Sequence, residues 1–129
     1  MKRLTLVFAV LGAILSAPIS HAQNTGIDLQ RDCRAVLTES RTTEEAVNAT
    51  HCLGYISGAA FSVTMWEATN RDKHLGLDSV PACLPSNGTN HEYVEVVLHY
   101  LDENPNKLHL SYGLLVFLAF RGAYPCPVK

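Results

Sequence analysis

Apolar and small residues at Ala46, Ala49, Leu53, Ile56, Ala60 and Val63 recur at intervals of three and four. This is the spacing of one face of a helix and not of a strand. The run predicts one long central helix, with residues 52–66, CLGYISGAAFSVTMW, at its heart. Beside the apolar stripe lies a second, in which Gly54, Gly58 and Ser62 recur every fourth residue. Glycine inside a helix costs up to about 1 kcal/mol relative to alanine. Two of them therefore suggest helix-packing positions where a neighbouring backbone approaches closely, with other helices on both sides. Thr42 followed three residues later by Glu45 is a capping box, so the helix is expected to start near Thr43 and to reach about Asn70.

Upstream, residues 27–39 carry Leu29, Cys33, Val36 and Leu37 at helical spacing, a short amphipathic helix. From 71 to 88 the periodicity is lost while Gly76, Pro81, Pro85, Asn87 and Gly88 accumulate, which predicts a long loop. A second capping box, Thr89 with Glu92, opens a helix whose apolar positions are Val94, Val97, Leu98 and Leu101. Asn104-Pro105-Asn106 stops or redirects the chain, because proline disfavours helical geometry in the residue before it. The last helix starts either at once or only at Ser111. Its segment LLVFLAF, 114–120, is apolar all round and needs cover on every side. Apolar surface left over in so small a bundle would favour a homodimer. The fold class is all-α: a small disulfide-stabilised bundle of about four helices.

Lys2 and Arg3 precede the apolar run 4–15, and Ser20-His21-Ala22 follows with a small-residue cut site before Gln23. Residues 1–22 read as a cleaved signal peptide and 23–129 as a single domain, exported to the periplasm. The apolar run falls short of the roughly 20 residues that a membrane span needs, so no span is expected in the mature form. Removing Lys2 and Arg3 from the ten basic residues leaves eight against twelve acidic ones. That net charge of −4 disfavours nucleic acid as a partner.

Cys33, Cys52, Cys83 and Cys126 all lie in the mature part, and an even number in a small exported domain reads as two disulfides. Three connectivities are possible. Cys33 and Cys52 flank the turn near Arg41, at similar heights on two antiparallel helices. Cys83 precedes the third helix and Cys126 follows the last, which favours Cys33–Cys52 with Cys83–Cys126.

Few constellations suggest chemistry. His91, Glu95 and His99 share a polar helix face, but the two histidines are more than two turns apart, too far for one metal. His51 adjoins Cys52, yet neighbours in a helix point about 100° apart, and a disulfide is the simpler fate of that thiol. With no phosphate loop, nucleophile elbow or close Cys/His pairs, the chain is expected to be no enzyme, with no catalytic residue, metal or cofactor. Trp66, Arg71, Asp72, Lys73, His74, Leu75, Leu77 and Asp78 instead gather an aromatic among charged and apolar residues at the end of the central helix and the start of the loop. Such a composition suits a partner-binding surface.

The order of Cys33, Cys52-Leu53-Gly54-Tyr55-Ile56-Ser57-Gly58, Cys83-Leu84-Pro85, Val96-Val97, Tyr100-Leu101, Asn104-Pro105 and Ala123-Tyr124-Pro125-Cys126 resembles the Rap/Tai immunity family, the type VI secretion resistance-associated and amidase immunity proteins. The resemblance spans nearly the whole mature chain. It implies a helical, disulfide-bonded periplasmic protein, often homodimeric, that binds a peptidoglycan amidase toxin and blocks its active site. The chain departs from the family at 108–112, which lacks the proline or alanine start of the last helix. A second function class is a periplasmic chaperone-like or assembly factor that holds other proteins on apolar helix surface.

Overall fold

The computed structural model describes residues 24–39, 41–72 and 82–127, with the backbone alone for 70–72. Among the described residues four helices follow in order: α1 Gly26–Arg34, α2 Thr43–Asp72, α3 Asn90–Glu103 and α4 Tyr112–Ala123. A 3-10 turn, Ala35–Leu37, extends α1, and another, Pro105–Lys107, joins α3 to α4. Both expected capping boxes form. The Thr42 amide donates to Glu45 at 2.7 Å and the Glu45 amide to the Thr42 hydroxyl at 3.2 Å. Thr89 and Glu92 repeat the exchange at 2.7 and 3.2 Å. Each box satisfies amides that the first helical turn leaves unpaired. Arg41 closes the α1–α2 corner, its guanidinium donating to the Ala35 and Val36 carbonyls.

The start of α4 is built without a side-chain cap. Ser111 takes the extended N-cap geometry, and the Tyr112 amide donates to the Asn24 carbonyl at 3.0 Å while the Gly26 amide donates to Leu110. The segment before α1 thus pairs with Ser111 as a single β-bridge. This backbone pairing fixes the start of α4.

The core collects one face from each helix. Leu29, Cys33 and Val36 meet Ala49, Cys52, Ile56, Ala60 and Val63 of α2. Val94, Val97, Leu98 and Leu101 of α3 and Leu115, Val116, Ala119 and Phe120 of α4 complete it. Cys33–Cys52 and Cys83–Cys126 are within bonding distance, at 2.02 and 2.13 Å, as the hairpin argument expects. Cys33–Cys52 ties α1 to α2. Cys83–Cys126 ties the stretch before α3 to the end of α4, beside a 2.9 Å hydrogen bond from the Cys83 amide to the Tyr124 carbonyl.

Three expectations fail. Ala46 and Leu37 are exposed, because the α1–α2 corner turns them away from the core. The 114–120 segment is not covered all round, since Leu114 and Phe117 face outward. Gly54 and Gly58 are not intramolecular packing positions: a Cβ on either would meet nothing within 4 Å among the described residues. The buried face of α2 lies on the other side of the helix, so that the glycine stripe is open.

Candidate interaction surface

Asp32 is the buried charged residue among those described, 3% exposed, where α1, α2 and α4 converge. Its carboxylate accepts from the Tyr112 hydroxyl at 2.6 Å, contacts His51 Nδ1 at 2.8 Å and accepts from Arg31 Nη2 at 2.8 Å. Burial alone would raise the Asp32 pKa. The hydrogen bonds from Tyr112, His51 and Arg31 outweigh it and hold the carboxyl below its usual range. Burial, reinforced by Asp32, pushes the Tyr112 phenol far above its ordinary value. The group therefore consists of a fixed anion and a phenol that keeps its proton, and it ties three helices together beside Cys33–Cys52. Its outer rim, with Asn24, Asp28, Val47 and Asn48, forms a shallow hollow of about 380 Å³. An Asp–His pair has the parts of a general base, but here both are engaged in holding the fold.

No local pattern in the sequence marks this cluster. Along the chain His51 stands beside Cys52, whereas its partner in the fold is Asp32. The available signal was that Asp32 and His51 each immediately precede a cysteine of the same disulfide.

Of the residues expected to bind a partner, Trp66 is described and is 52% exposed near the end of α2. The side chains of Arg71, Asp72, Lys73, His74, Leu75, Leu77 and Asp78 lie outside the described residues. His91 and His99 do not converge on each other: His91 lies 3.8 Å from Glu95 and His99 3.4 Å from Glu103, all on the solvent face of α3. Among the described residues no three His, Cys, Asp or Glu side chains are grouped to hold a metal.

The larger surface feature is the outer face of α2, where Val47 (63% exposed), Phe61 (66%) and Met65 (48%) stand in solvent with Gly54 and Gly58 between them. Tyr55 borders it, its ring packed edge-on against Tyr112 at 5.2 Å and its hydroxyl 3.2 Å from where a Cβ on Gly113 would lie. Large apolar side chains gathered on one exposed face mark a contact surface. The arrangement can bind by shape and apolar contact.

Comparison with known proteins gives one family: the model of the Rap1a immunity proteins matches residues 25–126. No curated protein and no solved structure matches the chain.

Proposed function

Since the chain belongs to the Rap1a immunity protein family, whose members act against secreted toxins, we propose that it is exported to the periplasm and there binds and occludes a type VI secretion peptidoglycan amidase. The family match from 25 to 126 carries this reading, because it takes in both disulfides and all four helices. In this reading residues 1–22 are removed as a signal peptide, and the protein works as a homodimer.

The mechanism is steric. An inhibitor that plugs a cleft must hold its contact segment in place before binding, since ordering it on contact would subtract from affinity. The segment 73–81 is flanked by the end of α2 on one side and by Cys83 on the other. Beyond Cys83, the Tyr93 hydroxyl donates to the Pro85 carbonyl at 3.2 Å, and the Tyr93 ring packs edge-on against Phe120 and Tyr124. We assign the 71–88 loop as the leading toxin contact, with Trp66 preceding it in α2, and the 104–111 connection as the second. The apolar helix surface that a chaperone-like factor would use is the outer face of α2, with Val47, Phe61 and Met65 exposed.

The test is periplasmic capture of partners by the tagged mature protein, followed by amidase assays on peptidoglycan with any captured hydrolase. Capture of an amidase whose activity falls on adding the protein is the expected result. Recovery of no peptidoglycan hydrolase from competitor-exposed cells would sink the toxin reading. Replacing 73–81 by a glycine-serine linker is expected to abolish inhibition. Unchanged inhibition would move the contact elsewhere on the molecule.

A further inference from the structure

The two disulfides sit in unlike surroundings. Cys33 and Cys52 are both 0% exposed and belong to the same buried cluster as Leu29 and Ile56. Cys83 and Cys126 are each partly exposed. They also lie outside the helices, the first before α3 begins at Asn90 and the second beyond the end of α4 at Ala123. Apart from its sulfur, Cys126 is weakly anchored. It stands between Pro125 and Pro127, which have no amide to donate, and among the described residues no hydrogen bond reaches it. The last firmly held residue is Tyr124. Its amide donates to the Phe120 carbonyl at 2.8 Å, its carbonyl accepts from the Cys83 amide at 2.9 Å, and its ring packs edge-on against Tyr93.

Thiol–disulfide exchange requires an attacking thiolate to reach a sulfur, so access separates the two bridges. We propose that Cys83–Cys126 is a site of exchange with a dithiol reductant, and that Cys33–Cys52 stays oxidised in the same folded molecule. A thiolate of the reductant attacks one sulfur of the pair, forming a mixed disulfide and expelling the other cysteine as a thiolate, which takes up a proton. The second thiol of the reductant, on losing its proton, attacks the reductant's own sulfur in the mixed disulfide and frees the second cysteine. Two electrons and two protons pass to the bridge, and the reductant leaves as its disulfide. The product keeps its core, because each helix buries its own face and Cys33–Cys52 still ties α1 to α2. Residues 125–127 are then tethered through Tyr124. The 82–88 stretch keeps the burial of Ala82 and the Cys83–Tyr124 and Tyr93–Pro85 hydrogen bonds but loses its covalent stop. Under the toxin reading, on which this consequence rests, a less firmly held contact loop costs more to order and inhibits less well. The exchange itself does not depend on that reading.

The test exposes the mature, disulfide-bonded protein to rising dithiothreitol without denaturant, traps thiols by alkylation and locates them by peptide mass spectrometry. Cys83 and Cys126 are expected to be fully alkylated while Cys33 and Cys52 carry no label, with the helical circular dichroism retained. In the same material the amide at position 83 is expected to lose its protection against hydrogen exchange, while those of Val97 and Leu101 keep theirs. Cys83→Ser/Cys126→Ser is expected to show the unprotected amide at 83 without reductant and no further change on adding it. Label on all four cysteines together, label first on Cys33 and Cys52, or loss of the helical signal with the first bridge would each overturn the proposal. So would an amide at 83 whose protection reduction leaves untouched. With a captured amidase, inhibition that weakens on reduction supports the consequence for the loop. Unchanged inhibition with the labelling order intact overturns that consequence while the exchange site stands.

Discussion

Asp32 is kept ionised inside the bundle by three donors from three elements, and the consequences for stability run in two directions of pH. Its folded pKa lies below the ordinary carboxyl value, so the unfolded chain takes up the proton more readily. Stability from this group is complete above about pH 4 and is lost as the pH falls further. Tyr112 is the opposite case. Its folded pKa is raised, so its contribution is complete below about pH 10 and is lost as the pH rises. Tyr112→Phe removes the shortest of the three hydrogen bonds to Asp32. It is expected to lower unfolding stability at neutral pH by about 1.5–3 kcal/mol, to move the acid transition to higher pH and to flatten the alkaline loss. Urea melts from acid to alkaline pH read all three. An unchanged acid transition would mean that Tyr112 does not hold the carboxylate. The cluster was hidden in the sequence because the Tyr112–Asp32 pair spans 80 positions, and no local pattern records such a contact.

At the scale of elements, the features set by neighbouring residues could be read directly. The Thr42/Glu45 and Thr89/Glu92 boxes, the proline break at Pro105 and the buried stripe of α2 all depend on groups within a few positions of one another. Which stripe of α2 lies open could not be read, because periodicity marks a face without naming what covers it. Small residues at Gly54 and Gly58 look the same whether the neighbour is another helix of the chain or lies outside it. The Asn24–Thr25 pairing with α4 was likewise invisible, since backbone donors carry no sequence signature. Gly26 makes that pairing possible. A Cβ there would come within 2.8 and 2.9 Å of the Leu108 backbone, which cannot move aside without breaking the Gly26–Leu110 hydrogen bond. Gly26→Ala is expected to destabilise by about 1–3 kcal/mol. Gly122→Ala, in open space on α4, is expected to stabilise by up to about 1 kcal/mol. Thermal melts of the two variants should move in opposite directions, and a common direction would refute the packing assigned to Gly26.

For the whole molecule, two disulfides supplement a core drawn from one face per helix. The pairs are separated by 19 and 43 residues. In the chain-entropy model, removing them costs about 3 and about 4 kcal/mol respectively. Cys33→Ala/Cys52→Ala and Cys83→Ala/Cys126→Ala are each expected to lower the denaturant midpoint substantially, measured against the oxidised parent. A midpoint unchanged by either double variant would show that the helices hold together without that link. The even cysteine count and hairpin order were enough to choose this pairing from the sequence, because antiparallel neighbours bring their own flanking residues to one level.

The two links are also consecutive along the chain, the first pair complete before the second begins, with no crossing or nesting. A polypeptide delivered N-terminus first into an oxidising space presents Cys33 and Cys52 to each other before Cys83 has arrived. An oxidase that joins thiols in their order of arrival would thus produce the native arrangement at once, leaving a shuffling enzyme nothing to correct.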